Sequence, residues 1–569
     1  MQSYRPSYHA SVPSGWSNDP NGTVFYDGKA HLFFQHYPHK PEWGTMHWGH
    51  FTTTDFVKWE TLPVALVPDQ EYEVVCGCCS GSAIEKDGDL WLIYTAAQPE
   101  RQRQCLAVSK DGGIHFEKNK ENPILTSGML DLEVTETDCR DPHLFRKDDF
   151  YYFIAGARVL TKEELKEARA LASAGAPAGE PVSAVPAESA PAPVSDQGSA
   201  PVSAPASAPV GPSSGSAPAA PVEPSSGSAM GVRPPSAGPA ADAKEEEKKA
   251  GYGNMILARS RDLFHWEYIG HLLDEETEGQ IQLEKDFYVL DGAYECPDYI
   301  VLNGQEFVLT SPQNLPQIGT SYQNVHSGVY LLGELNFENG RFRIDKIGEL
   351  DQGFDFYAAQ TLQMPDGRVI LIAWKEMWDR NFPTRKEGWA GTYTLPRELS
   401  FEDGCFIQKP VREIERYRQG KIEAAPFEVS DDSRSVEGVS GKTIELHVTI
   451  EPGTAAQAGV KLFCGSRHET LVYYDAEKEQ VIFDRSRSGI PFTGQEDDVD
   501  RRVCPVGKMD SIDMRIFLDI STIEVFLNGG RSVMTGNVYP DPDEDTGVQF
   551  FSRQGKAAFR NLEKYDIIV

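Results

Sequence analysis

The sequence predicts an all-β protein in which propeller blades are followed by a second β domain, and three observations carry that expectation. First, short runs rich in Val, Ile, Phe, Tyr and Trp, broken by Asp-Gly, Asn-Gly and Pro, recur from Ala10 to about Leu399, with few windows of helical period. Second, Thr54-Asp55-Phe56-Val57-Lys58-Trp59-Glu60, Ser109-Lys110-Asp111-Gly112-Gly113-Ile114-His115-Phe116-Glu117 and Arg261-Asp262-Leu263-Phe264-His265-Trp266-Glu267 repeat a polar turn followed by an aromatic-Glu strand. Repeated four-stranded units of this size bury their faces only against neighbours, as blades do. Third, apolar residues near the C-terminus alternate strictly.

Length supports two domains, since 569 residues exceed one ordinary core and 40% of them are hydrophobic. The blades are expected over 1–410. From roughly Ala168 to Ala241 the chain is Ala, Pro, Ser and Gly with almost nothing else, and such a stretch cannot bury enough apolar area to offset the entropy of ordering it. It is therefore expected to be a disordered insertion in a loop between the strand Tyr151-Tyr152-Phe153-Ile154 and the strand Met255-Ile256-Leu257-Ala258. At its edges, Thr161 with Glu164 forms a capping box for a short helix through Ala170, and Ala241 to Lys249 has the composition of a charged helix. A linker over 411–428, with a short helix or extended bridge at Val411–Tyr417, leads to the second domain over 429–569. There Ile444, Leu446, Val448 and Ile450 alternate, as do Met514, Ile516, Leu518 and Ile520, while Ile523, Val525 and Leu527 run into an Asn528-Gly529 turn. Two sheets packed face to face are expected.

A net charge of −32 argues against nucleic acid, which needs a basic stripe, and against anionic membrane surfaces. No apolar run approaches the roughly 20 residues that cross a bilayer. The first fifteen residues lack a basic region followed by an apolar core, so no export signal is expected. Nine cysteines, an odd number partly clustered at Cys76, Cys78 and Cys79, fit a reducing cytoplasm better than a disulfide framework. The same cluster lacks a second pair at zinc spacing, and neither metal nor cofactor is expected.

Three carboxylates stand in unusual settings: Asp19 in Trp16-Ser17-Asn18-Asp19-Pro20-Asn21-Gly22, Asp141 in Arg140-Asp141-Pro142, and Glu295 in Glu295-Cys296-Pro297. Two carboxylates flanking a glycosidic bond can divide the work of nucleophile and general acid, and a third can hold sugar hydroxyls as charge develops. Asp19 is the expected nucleophile, because Pro20 and Gly22 make a tight turn and Asn18 and Asn21 offer amide donors to an ionised carboxylate. By itself Asn-Asp-Pro-Asn-Gly reads as an ordinary surface turn; the other boxes change that. Glu295 is the expected acid and base, its neighbours Tyr294, Cys296 and Pro297 favouring the protonated form. Asp141 is expected to stay ionised beside Arg140 and to bind ring hydroxyls.

The order and spacing of these boxes resemble glycoside hydrolase family 32, the invertases, sucrose-6-phosphate hydrolases, levanases and inulinases. His31 to Tyr37, Met46 to His50, Cys79 to Ala83, Asp355 to Gln360, Gly388 to Gly391 and Leu395 to Leu399 continue the resemblance over nearly the whole chain outside the insertion. The resemblance implies five blades, a C-terminal β-sandwich, and the same three roles for Asp19, Asp141 and Glu295. It also implies that Asn18, Gln35, Trp43, Ser80, Arg140, Trp374 and Tyr357 line a fructosyl pocket. Amides and indoles suit a neutral sugar. Ser17 and Cys139 depart from the family's usual larger residues and are expected to alter the pocket walls. The implied activity is removal of terminal fructose from sucrose or short fructo-oligosaccharides. Sucrose-6-phosphate hydrolysis is the enzymatic alternative, and a carbohydrate-binding or sensor protein the non-enzymatic one.

Overall fold

The computed structural model describes residues 4–99, 101–126, 130–131, 133–173, 251–273, 293–494 and 499–569. Most of the expected Ala/Pro/Ser-rich insertion and the charged helix after it lie outside the described residues. The described strands belong to one compact unit made of Met1–Glu167 and Pro234–Val569. The capping box is present. Thr161 N donates to Glu164 Oε2 at 2.9 Å, and Glu164 N donates back to Thr161 Oγ1 at 3.3 Å, opening a helix over Lys162–Ser173.

Up to Pro410 the described residues form five curled, propeller-like sheets, each with four antiparallel strands in chain order except where a late strand intervenes. The first strands of the sheets are Gly15–Tyr26, Gly77–Lys86, Val134–Lys147, Tyr294–Leu302 and Tyr357–Gln363. These first strands lie against one another in order, and the last also lies against the first. Apolar cores sit between successive sheets: Phe33 and Trp48 meet Leu92 and Tyr94, for example, and Leu362 and Ile370 of the fifth sheet meet Leu32 and Phe34 of the first. Trp389–Ala390 adds a parallel strand to Gly15–Trp16, joining late chain to early chain.

The repeated polar turn has a common physical cause. Asp55, Asp111 and Asp262 each turn a carboxylate back onto backbone N–H groups two to four residues ahead, those of Val57 and Lys58, Ile114 and His115, and Phe264 and His265. Each turn joins the third strand of its sheet to the fourth.

Beyond Pro410 a 3₁₀ helix over Arg412–Tyr417 leads, among the described residues, into two further sheets of seven and six strands. One apolar core takes Ile444, Leu446 and Val448 from the first and Val460, Val472 and Phe483 from the second. Two expectations need correction. Arg418–Ala424, inside the expected linker, is the edge strand of the seven-stranded sheet, paired with Lys556–Ile567. Its polar, half-exposed sequence suits an edge, where charge discourages further pairing, and so hides the strand from a reading of apolar alternation. Ile520 is not the fourth member of its row: the strand ends at Asp519, and Ile520 turns away at φ 56°. Asp519 instead accepts hydrogen bonds from the backbone of Ser7, Tyr8 and His9.

Candidate active site

Each first strand breaks register with its neighbour, and several candidate residues stand at those breaks. Asn18 and Asp19 lie in the break between Ser17 and Pro20, Ser80 in that between Cys79 and Gly81, and Asp141 opposite the break between Ile154 and Gly156. Breaks also fall between Glu295 and Asp298 and between Tyr357 and Gln360. A bulge bends the strand and re-aims one side chain. Pro20, Pro142 and Pro297 supply a local reason, because proline has no N–H for the ladder and is tolerated in a strand at bulges. Asp141, Cys296 and Ala358 take the extra turn at φ 59°, 47° and 52°.

Two amides and a hydroxyl hold Asp19. Asn18 Nδ2 donates to Oδ1 at 3.0 Å; Gln35 Nε2 and Ser80 Oγ donate to Oδ2 at 3.0 and 2.8 Å. Asn18 is itself oriented by Trp16, whose Nε1 donates to its Oδ1 at 2.8 Å. Burial, with the charge of Glu295 adding to it, nevertheless pushes the Asp19 carboxyl up to about 6, against the hydrogen bonds that favour its ionised form.

Glu295 is gripped at both oxygens. Arg140 Nη2 and Nε donate to Oε1 at 3.1 and 3.3 Å, and the Tyr357 hydroxyl donates to Oε2. The expected service of Arg140 to Asp141 is therefore corrected: the guanidinium bonds Glu295 and, through Nη1 at 2.6 Å, Asp138, while its Nε lies 3.9 Å from Asp141 Oδ2. Asp141 is correspondingly raised from the ordinary carboxylate range rather than lowered, because burial outweighs the arginine and the charges of Glu295 and Asp19 reinforce burial. Its anchors are the backbone N–H of Cys296, donating to Oδ2 at 3.2 Å, and its own N–H, which donates to Thr95 Oγ1 at 3.0 Å.

Asn18, Asp19, Gln35, Trp43, Arg140, Asp141 and Glu295 share one narrow cleft with Cys79, Thr95, Ala97, Gln102 and Trp378. Ser80 and Tyr357 stand behind it, fully buried, and act on Asp19 and Glu295 respectively. Trp374 does not reach the wall. It is buried behind Trp378, with ring centroids 5.0 Å apart, and Trp378 is the indole that lines the cleft. Nor do the two departures reshape the walls. Ser17 faces Gly391, where even a Cβ would lie 2.0 Å from its hydroxyl, and Cys139 joins the core between the second and third sheets. In an extended strand the neighbours of a pocket residue point the other way.

Asp138 and Trp378 were not anticipated, and Cys296 was expected only as an apolar neighbour of Glu295. Asp138 was open to inference, since i and i+2 share a strand face and Arg140 was already a candidate; nothing local marks Trp378. Among the described residues no group of three His, Cys, Asp or Glu side chains is placed to hold a metal ion. The arrangement can align one ionised carboxylate, place a second beside a phenol and a guanidinium, and offer a third to hydroxyls.

Comparison with known proteins agrees with this geometry. Residues 9–166 and 243–410 match the Glycosyl hydrolases family 32 N-terminal domain, and 413–566 match the Glycosyl hydrolases family 32 C terminal. A sucrose-6-phosphate hydrolase of Zymomonas mobilis is 31% identical, the alignment covering 99% of this chain and 92% of that protein. One from Escherichia coli is 30% identical over 95% of this chain and 90% of the other. Among solved structures, a mutant of the Bombyx mori GH32 beta-fructofuranosidase in complex with sucrose superposes with a TM-score of 0.69 at 27% identity, over 99% of this chain and 94% of that one.

Proposed function

The chain belongs to glycosyl hydrolase family 32, and from that premise we propose that it is a retaining β-fructofuranosidase acting on sucrose and short fructo-oligosaccharides. The observation that carries the reading is the convergence of Asp19, Asp141 and Glu295 on one cleft, each held by different partners. Asp19, aligned by Asn18, Gln35 and Ser80, attacks the anomeric carbon and forms a fructosyl ester. Glu295 protonates the bridging oxygen and then activates the water that resolves the ester. Asp141 accepts hydrogen bonds from ring hydroxyls, which strengthen as the ring becomes oxocarbenium-like. Trp43 and Trp378 offer indole faces to the C–H side of the sugar.

The five sheets are read as the blades of a closed propeller over 1–410, and the two later sheets as a β-sandwich. The sandwich begins at the edge strand Arg418–Ala424 rather than at 429. An odd number of cysteines, nine, favours a reducing compartment, the cytoplasm.

A second reading is favoured by the relatives named sucrose-6-phosphate hydrolase. Against it, Arg140 is the one cation among the described residues lining the cleft, and its donors already serve Asp138 and Glu295. A phosphate dianion wants such donors unspent. The deciding experiment compares kcat/KM for sucrose and its 6-phosphate, with methanol added as an acceptor. Preference for sucrose with a methyl β-fructoside product is expected. A large preference for the phosphate ester would replace the substrate, and an α-product would remove the ester and Asp19's role.

A further inference from the structure

Arg140 divides its guanidinium between two carboxylates: Nη1 donates to Asp138 Oδ1 at 2.6 Å, while Nε and Nη2 donate to Glu295 Oε1. Asp138 and Arg140 leave the same face of Val134–Lys147, two residues apart, and Asp138, Arg140 and Glu295 are 7%, 8% and 8% exposed. Asp138 is absent from the cleft wall. From this geometry we infer that Asp138 is a positioning residue that sets, through Arg140, how readily Glu295 gives up its proton, and so the alkaline limit of the reaction. The inference rests on the reading of Glu295 as acid and base.

Among the described residues, the other ionisable groups that act on Glu295 are Asp141 on one neighbouring first strand, Tyr357 on the other, Asp19 across the cleft, and Cys296 beside it. All of them are acidic. Arg140 is thus the positive charge bonded to Glu295, and whatever Asp138 takes of that charge is lost to Glu295. Asp138 also repels a second carboxylate directly. Both effects favour the protonated form that donates to a leaving oxygen, and a low-dielectric site lets them act at this range. Asp138 further anchors Nη1, so that Nε and Nη2 remain aimed at a single oxygen of Glu295.

Asp138→Asn keeps the shape and removes the charge. On sucrose, the basic limb of kcat/KM should move to lower pH by about one unit, from a Coulomb interaction at this separation in a partly polar medium. On an aryl β-fructofuranoside, whose leaving group needs little protonation, the same variant should keep the rate of its first step within roughly threefold of the parent across that limb. An unmoved limb on sucrose would overturn the inference. So would an equal loss on both substrates accompanied by a lower thermal midpoint, which would make Asp138 merely structural. Glu295→Gln on the same substrates tests the underlying reading separately. Selective rescue by the aryl fructoside supports the acid role, and its absence overturns the reading and the inference together. Rescue of Glu295→Gln with an unmoved limb in Asp138→Asn would sink the role of Asp138 alone.

Discussion

The thiol of Cys296 lies 3.7 Å from Oδ2 of Asp19, and 3.9 Å from Oδ2 of Asp141, so one small side chain occupies the gap between two carboxylates. Its backbone N–H also supports Asp141, from a residue at φ 47°. Side chain and backbone can be separated by mutation. Cys296→Ala keeps the N–H and should lower kcat by less than about tenfold, the scale of one lost hydrogen bond to a charged group. Cys296→Val forces a β-branched residue into the left-handed region, and should cost roughly 1–3 kcal/mol in stability together with most activity. Denaturant midpoints and steady-state rates check both; equal losses would mean that the thiol, not the bulge, supports the site.

Asp19 makes stability depend on pH with a definite sign. Its carboxyl, ordinarily near 3.8, titrates at about 6 when folded, chiefly through burial. A raised value favours folding fully below about pH 4, and that contribution is lost as pH rises through 6. Asp19→Asn should therefore stabilise the protein at pH 8 by on the order of 2–3 kcal/mol, a gain that vanishes toward pH 4. Unfolding free energies at the two pH values measure it, and a gain independent of pH would contradict the assignment. Parent activity should run the other way, with kcat/KM falling below about pH 6 as the proposed nucleophile protonates.

Tyr357→Phe should shift the basic limb in the direction opposite to Asp138→Asn. The phenol donates to Glu295 and lies 3.2 Å from the Ser311 carbonyl oxygen. Losing a bond that favours the ionised carboxylate should carry the limb to higher pH and reduce kcat about tenfold. A pH–rate profile on sucrose decides; a limb moving the same way in both variants would show that general loosening, not charge, is being measured.

The late sheets brace the site through a buried ion pair. Arg485 Nη1 donates to Asp355 Oδ2 at 2.7 Å, the same oxygen that accepts the Asn537 N–H, and Asp355 stands two residues before Tyr357. Asp355→Ala should destabilise the protein by about 3–5 kcal/mol, because it strands a buried guanidinium. Replacing Asp355 and Arg485 together by leucine should recover much of that loss. Calorimetry on the single and double variants tests this, and a double variant as unstable as the single would place the cost in packing.

Where a feature depends on neighbours in the chain, it was legible in advance. The Thr161–Glu164 capping box, the Asp55, Asp111 and Asp262 turns, and the alternation at Ile444, Leu446 and Val448 all appear as expected. The seven candidate residues that share the cleft were recognisable from motif strings. The edge strand Arg418–Ala424 was not, because an edge gains nothing from apolar alternation. Nor was Trp378, whose place in the cleft wall depends on packing against Trp16 and Trp374.

What the chain alone determined, then, was the inventory and its local aim: carboxylates beside prolines that force bulges, in strands whose period of two fixes which neighbours point away. Tertiary structure alone decided the partnerships. Arg140 precedes Asp141 yet serves Glu295, 155 residues distant, and Asp138. Burial raises Asp141 despite that adjacent arginine. The physical reason is that charge interaction falls with distance through space and grows as water is removed, and both quantities are set only when first strands from separate sheets meet around one cleft.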